Sequence, residues 1–403
     1  MNRFRILHLR ASNFVGGPEQ QLLRYAEGER GGAYEIRLGS FVGPREGSDF
    51  LQAAEARGVQ TLALPDRNFG PKSAISPLIR ELKSRKIDLL CTHGFKADVL
   101  GVLSSWSAGV PVACFLRGWT RENRKVRIYE AADRRLLRFA DRIVCLSESQ
   151  ARKLSKKNGL ADKIRVVGNA IDVSDIDEAR RIGSRNEVRQ RYGLPQSCLL
   201  VATGGRLSPE KGISDFLEAA FSVSQQFLGV RFLVFGDGVL RQPLEHKARA
   251  LGLQDRIMFV GFERDLRDLL PGVDLLVNPS HSEEMPNIVL EGMAAGIPVI
   301  ATAVGGVEDI AGPERAVCLV PPGKPEILAD TIGALLREPL RAKALAEAGH
   351  RRVEQTYSLK QQRSQFHALY QELLSSQSAS VALNRVSDKT VAAVRLPGTQ
   401  TEG

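Results

Sequence analysis

The chain has 403 residues, enough for two or three domains, and its 43% hydrophobic content can fill sizeable cores. Its apolar runs are strand-sized, which excludes a membrane-spanning helix, and Met1 to Arg10 lacks the apolar region of a secretory leader, so a cytoplasmic protein is expected. The formal net charge of +10 is uneven: residues 1–168 carry 30 lysines and arginines against 17 acids, whereas residues 169–403 carry 26 against 29.

From the N-terminus, β-type runs alternate with stretches of helical length. The runs are Phe4 to Leu9, Glu35 to Phe41, Val59 to Leu64, Ile87 to His93, Pro111 to Leu116, Ile143 to Ser147 and Ile164 to Val167. Glu19 to Arg30 and Ser73 to Arg85 are two of the helical stretches between them. The pattern pauses at Val167 to Asp172 and restarts with Leu199 to Thr203, Val230 to Phe235, Ile257 to Val260, Leu275 to Asn278, Val299 to Thr302 and Ala316 to Val320. Such alternation predicts an α/β chain with two Rossmann-like domains in tandem, residues 1–168 and 169–355, and a ligand cleft between them. Residues 356–375 predict a C-terminal helix that packs back on the first domain, and 376–403 a flexible tail.

Much of the basic excess falls between Arg117 and Arg138, where eight lysines and arginines face Glu122, Glu130 and Asp133. An anionic lipid face or an acidic acceptor would suit that run, and a solvated helix face accounts for it equally. The interleaved aromatics that nucleic-acid binding would require are scarce. The five cysteines, Cys91, Cys114, Cys145, Cys198 and Cys318, lie in or at the edge of strand-like runs, odd in number and without metal-ligand spacing; buried, reduced thiols are expected.

The stretch His281 to Gly306 lies between two strand-like runs and holds two carboxylates, Glu283 in a loop and Glu291 within a helix of about ten residues. Pro286 suits the first turn of that helix, and the free N–H groups of Met285, Asn287 and Ile288 would point out of the strand's carboxyl end, where open α/β sheets bind ligands. That is a site for a polar, hydroxyl-rich ligand, although an ordinary strand, loop and helix with two solvated acids fits the stretch taken alone. Thr203 to Gly212 ends one strand and opens a helix: on this Gly-rich loop, Arg206 supplies a planar fork of donors and Lys211 a point charge, together able to neutralise a diphosphate. Gly16 and Gly17 form the corresponding turn of the first domain. His93 ends a strand, where a ligand role competes with that of a satisfied structural histidine. Gly236-Asp237-Gly238 and the turn at Phe262 suit close approach by a base or ribose.

With these pieces in order, the chain resembles the retaining GT-B glycosyltransferases of family 4 over roughly residues 4–375. The E-x7-E pattern is met by Glu283 and Glu291, the GRL-x-x-E-KG loop by Gly205-Arg206-Leu207 and Glu210-Lys211-Gly212, and the family's GG, His-Gly and G-x-G turns by Gly16-Gly17, His93-Gly94 and Gly236-Asp237-Gly238. Glu284 departs from the small residue usual there, and Val307-Glu308-Asp309 replaces the commoner Val-Pro-Glu.

The resemblance implies two Rossmann-like domains facing across a cleft. It implies that Glu291 holds the nucleotide ribose, that Glu283 contacts the donor sugar near its reacting end, and that backbone amides across Glu284, Met285, Pro286, Asn287 and Ile288 bind sugar hydroxyls and phosphate. Arg206 and Lys211 would clamp the diphosphate and His93 would position the transferred sugar. The expected partners are a nucleotide-sugar donor, UDP-linked in preference to GDP-mannose, and a glycan or lipid-linked acceptor of cell-surface polysaccharide or lipopolysaccharide synthesis; neither metal nor cofactor is expected. A UDP-sugar epimerase of similar architecture and a non-catalytic nucleotide-sugar-binding protein are the rival readings. A dehydrogenase fits less well, because Gly236-Asp-Gly-Val-Leu-Arg241 lacks the third glycine of the dinucleotide fingerprint.

Overall fold

The computed structural model describes residues 3–43, 47–66, 72–116, 135–173, 185–263 and 266–375. Most of the basic run that begins at Arg117, and the whole tail 376–403, lie outside the described residues.

Among the described residues, thirteen strands form two sheets. The first contains β1 (Phe4–Arg10), β2 (Tyr34–Val42), β3 (Gln60–Pro65), β4 (Leu89–His93), β5 (Val112–Phe115), β6 (Arg142–Cys145) and β7 (Ile164–Val166), in the order β3-β2-β1-β4-β5-β6-β7. The second contains β8 (Leu199–Gly204), β9 (Val230–Phe235), β10 (Ile257–Gly261), β11 (Leu275–Asn278), β12 (Val299–Thr302) and β13 (Cys318–Val320), in the order β10-β9-β8-β11-β12-β13. The pairs β1–β2, β1–β4, β8–β9 and β8–β11 that form the centre of each sheet are parallel. The reason lies in the residues: β4, β5, β11 and β12 are buried along their whole length, as strands covered on both faces must be, and the intervening helices supply the cover.

In both sheets the order reverses between the first strand and the fourth, between β1 and β4 and between β8 and β11. Loops after those strands open at the sheet's carboxyl edge, which is where such sheets take ligands. Gly16-Gly17 follows β1 and His93 ends β4; the Arg206 to Lys211 loop follows β8 and Glu283 follows β11.

The chain divides into two compact units, residues 1–144 with 364–403, and residues 145–363. The division at Val144 and Cys145 falls ahead of the expected boundary at 168, although strand order carries the first sheet on to β7. The second division falls inside the helix 359–375, between Arg363 and Ser364, so that Phe366, His367, Tyr370 and Glu372 belong to the first unit. There Arg142 Nη2 meets Glu372 Oε1 at 2.6 Å, and His367 Nε2 lies 3.0 Å from Glu29 Oε2.

In the second unit, Leu276, Val289, Leu290, Met293, Val299 and Ile310 pack on one face of the sheet, and Val201, Phe216, Val223, Phe232, Val277 and Ile332 on the other. All five cysteines are free thiols; Cys91, Cys114, Cys145 and Cys198 are buried and Cys318 is half-buried. Burial pushes the Cys91 thiol up, and it pushes Cys145, with Glu284 and Glu148 adding to the effect, to about 12.

Candidate functional site

The second unit brings Glu283 and Lys211 together. Lys211 Nζ lies 2.7 Å from Glu283 Oε1, and the same oxygen accepts a hydrogen bond from Ser280 Oγ at 2.7 Å. Only 8% of the Glu283 side chain is exposed, so the pair sits where a charge–charge contact is weakly screened. Ser280 is itself fully buried, and its backbone carbonyl accepts the Thr302 hydroxyl.

Backbone docking explains how residues 72 positions apart meet. His281 N donates to Glu210 O at 2.8 Å, and the His281 ring lies 2.8 Å from Asp215 Oδ2. Gly212 has a φ of +62°, and a Cβ there would stand 2.1 Å from the Pro279 carbonyl oxygen. Only glycine allows the β8 loop to lie this close to the β11 loop. Gly305 performs the same service on the far side: with a φ of +55°, its absent Cβ would stand 1.6 Å from the Glu283 carbonyl oxygen. The loop from Pro279 to Glu283 is thus held by close backbone approach at both ends.

Arg206 is the more exposed cation, and Glu210 Oε1 restrains it at 3.3 Å. Glu210 also accepts the Ser208 hydroxyl at 2.6 Å. Burial raises the Glu210 carboxyl, but the Ser208 hydroxyl, its own backbone and the neighbouring Arg206 and Lys211 outweigh it and hold the group below the usual carboxylate range.

The helix carrying Glu291 spans Asn287–Ala294, eight residues where about ten were expected, and Pro286 precedes it as the capping residue with an extended ψ of 119°. Pro286 therefore stands one position before the first turn predicted for it. Its ring excludes an N–H at the position where a capping residue needs none, and Gly296, with a φ of +66°, follows the helix and lets the chain turn towards β12. Glu291 is the fifth helical residue and half-buried. Ahead of the helix, Asn169 Nδ2 donates to the Met285 carbonyl at 3.0 Å and to Asn287 Oδ1 at 2.9 Å, fixing the Asn287 amide. Ile288 packs near Gly204 at the end of β8.

Glu284 differs from Glu283. Its Oε2 is buried and has no hydrogen-bond partner among the described residues. Burial raises its carboxyl above the ordinary range, Lys153 opposes this, and the Glu283 charge adds to it.

Gly205, Gly236, Asp237, Gly238 and Phe262 form the remaining edge. Gly205 N donates to Phe235 O at 3.1 Å, Gly236 N to Gly261 O at 2.6 Å, and Leu207 N to Asp237 O at 2.9 Å, so the turns after β8, β9 and β10 are laced together. Asp237 Oδ2 is held by Arg241 at 3.2 Å, and Phe262 stands exposed just beyond Gly261.

The remaining predicted residues, Gly16, Gly17 and His93, belong to the first unit. Gly16 caps the helix Gly17–Gly28, and its N–H is accepted by Glu19 Oε2 at 3.0 Å. Glu19 is fully buried and ion-paired with Arg10; burial raises its carboxyl, and Arg10, through its charge and its hydrogen bond, leads the effects that bring it below the usual range. His93 is 2% exposed, with Nε2 at 2.9 Å from His8 Nδ1.

Two family models match the chain: Glycosyl transferase 4-like domain over residues 16–170, and Glycosyl transferases group 1 over residues 199–338. The chain belongs to the GT-B glycosyltransferases of the family 4 type. It is 33% identical over 223 residues to the 2-deoxystreptamine glucosyltransferase of Streptomyces kanamyceticus, covering 54% of this chain and 57% of that protein. It is 30% identical to the UDP-Gal:alpha-D-GlcNAc-diphosphoundecaprenol alpha-1,3-galactosyltransferase of Escherichia coli, covering 58% of this chain and 62% of that protein. The chain thus spans less than two thirds of the length of these curated relatives. Among solved structures, Anabaena Alr3699/HepE in complex with UDP and glucose superposes with a TM-score of 0.81 at 22% identity, over 92% of this chain and 100% of that one. Sucrose-phosphate synthase from Thermosynechococcus elongatus superposes with a TM-score of 0.76 at 19% identity, over 93% and 100%. These likenesses establish the α/β two-domain fold.

Proposed function

We propose that the protein is a retaining glycosyltransferase that moves a hexose from a UDP-sugar to a glycan or lipid-linked acceptor. The observation that carries this reading is the Lys211–Glu283 pair, held at the carboxyl edge of the second sheet beside the N-terminus of the helix that bears Glu291. Two curated relatives are named for glucosyl and galactosyl transfer, the second from UDP-galactose to a diphosphoundecaprenol-linked sugar, and the Anabaena structure holds UDP and glucose.

Breaking the sugar C1–O bond leaves positive charge on the anomeric carbon and sends an electron pair to the departing diphosphate. Arg206, Lys211 and the N–H groups ahead of Asn287 meet that negative charge with dipoles and cations fixed in advance. Glu283 is the nearby carboxylate on the sugar side. In the retaining course the acceptor hydroxyl attacks from the leaving-group face as the C1–O bond breaks, and a diphosphate oxygen takes its proton, so no separate protein base is needed. Glu291 accepts hydrogen bonds from the ribose and holds the nucleotide before and during the reaction. Lys211 has two claims upon it, Glu283 in the free protein and diphosphate in the complex. Donor binding therefore redistributes an existing ion pair rather than capturing a free cation.

A thermal-shift panel of UDP-, GDP-, ADP- and dTDP-sugars tests the donor, since binding to the folded state raises the midpoint by mass action. A UDP-sugar should give the largest rise; a GDP-sugar doing so instead would overturn the assignment of the base. Acceptor-dependent release of UDP separates transfer from epimerisation, and the anomeric coupling constant of the product tests retention. Metal independence belongs to the same proposal. The chain carries one Asp-x-Asp string, Asp175-Ile-Asp177, outside the described residues. Product formation unaffected by chelator is expected; loss on chelation and recovery with manganese would refute it. Docking of the basic 117–138 run on an anionic membrane is also part of this proposal. Sedimentation with anionic liposomes that weakens as salt rises tests it.

A further inference from the structure

The end of β11 and the loop after it hold a short polar path, Asn278, Ser280 and Glu283, that lies wholly within the second unit. Ser280 is fully buried and Asn278 is 1% exposed, where a polar side chain costs stability unless it is paired. Ser280 Oγ stands 2.7 Å from Glu283 Oε1 and 3.1 Å from Asn278 Oδ1. Lys211 Nζ reaches the same Oε1, so both contacts to Glu283 fall on one oxygen, and Oε2 accepts none among the described residues.

A serine hydroxyl has one proton, and two acceptors face this one. The Asn278 amide nitrogen, meanwhile, is buried with no hydrogen-bond partner among the described residues. Turning the amide over removes both faults. Its nitrogen and oxygen exchange places within one outline, and no other group moves. The nitrogen then donates to Ser280 Oγ, which leaves the serine proton for Glu283 Oε1. The amide oxygen takes the unpartnered place, where an unfilled lone pair costs less than a buried donor without an acceptor.

We propose that Asn278 and Ser280 are positioning residues: the Asn278 amide donates to Ser280, Ser280 donates to Glu283 Oε1, and the carboxylate is fixed with Oε2 as the edge it presents to the donor sugar. This rests on the assignment of Glu283 to the sugar side made above. In that reading donor binding draws Lys211 to the diphosphate, and the serine hydroxyl holds Oε1 while the lysine is engaged elsewhere.

The test follows the Glu283 carboxyl carbon by NMR in the full chain labelled with ¹³C-glutamate, its signal assigned by Glu283→Gln and titrated with and without UDP. A hydrogen bond to the ionised form favours that form, so Ser280→Ala should raise the titration midpoint by about one pH unit. Lys211 and Glu284, the charged groups set against Glu283, are the same in both proteins. Asn278→Ala reads the direction of the path. If the amide donates, its loss weakens the serine bond and the midpoint rises by a smaller amount; if the amide accepts, its loss frees the serine proton for Glu283 and the midpoint falls. Asn278→Leu, closer in size, gives the same reading should the alanine variant unfold. Thr203→Val removes a buried hydroxyl that has no partner among the described residues, on the adjoining strand β8, and should leave the midpoint in place. With the UDP-sugar of largest thermal shift, Ser280→Ala should lower kcat about tenfold and keep UDP affinity within about twofold. A midpoint that falls in Asn278→Ala, or a midpoint or kcat unmoved in Ser280→Ala, would overturn the proposal, as would Thr203→Val moving the midpoint equally. The midpoints are read without turnover, so failure of the path shows separately from failure of the transferase reading. The rise in Ser280→Ala should be larger with UDP bound; an equal rise leaves the path standing and removes the exchange of Lys211 onto the diphosphate.

Discussion

The two units handle polar groups in opposite ways. Around Glu283 the second unit sets full charges within contact distance, lysine on glutamate and arginine on glutamate, partly open to solvent and bound to one another. Around His93 the first unit sets two stacked imidazoles and a phenol, buried and joined by hydrogen bonds. A diphosphate leaving group develops charge, and charges with some freedom to change partners can answer it. The first arrangement can exchange partners, and the second is held by packing on every side.

Substitution of the cations should show the largest effect. Lys211→Ala removes the partner of Glu283 and one positive charge proposed to face the diphosphate, and turnover at saturating donor should drop by about 10²- to 10³-fold, the scale for losing one preorganised electrostatic contact. Initial rates measure it, and a drop below threefold would mean that Arg206 and the backbone suffice. Next come the two acids. Glu291→Ala should weaken UDP binding by about 1.5–3 kcal/mol, the usual value of a hydrogen bond to a charged group, whereas Glu283→Gln should lower kcat and leave UDP affinity nearly unchanged. Calorimetry beside initial rates decides; the reverse pattern would exchange the two roles.

Glu19 tests whether charge in the first unit is structural. Glu19→Gln should destabilise the fold by about 1–3 kcal/mol through loss of its bonds to Arg10 and Gly16 N. Its carboxyl is held low in the folded protein, so its contribution is full above the unfolded carboxyl value and is lost as pH falls through the folded one. Urea melts should therefore show the mutant's deficit at pH 7 and its shrinkage in acid; a deficit constant with pH would contradict the ion pair. Glu284 should give the smallest effect and the opposite sign. Its carboxyl is raised, so the folded state carries a penalty that is absent below the unfolded value and full above the folded one. Glu284→Gln should raise stability at pH 7 by less than about 1 kcal/mol, with the gain vanishing in acid. A loss at pH 7 would mean that the charge is used.

The central strands were legible because each is a buried apolar run bounded by turn residues, whereas β7 and β13 at the sheet edges are short and mostly not buried. The E-x7-E acids and the Arg206 to Lys211 loop were legible as strings. What joins them was not. Ser280 beside Glu283, Asn169 under Met285 and Asp215 against His281 look like ordinary polar residues until distant segments meet. Glu19 could have been found, since Gly-Gly-Pro-Glu places an acid where a capping box needs one. Tyr370 could not: it lies 362 positions from His8, in a helix whose periodicity reports only that one face is buried.

The recessed cysteines make the molecule convenient to instrument. A thiol attacks as its thiolate, and burial withholds both the charge and the access that maleimides and nitroxide reagents need. A single cysteine introduced at an exposed position, such as Leu340 in one unit or Trp106 in the other, should therefore take a label ahead of all five native ones. Paired probes placed this way would report interdomain distances during turnover without first stripping the protein of its own sulfur.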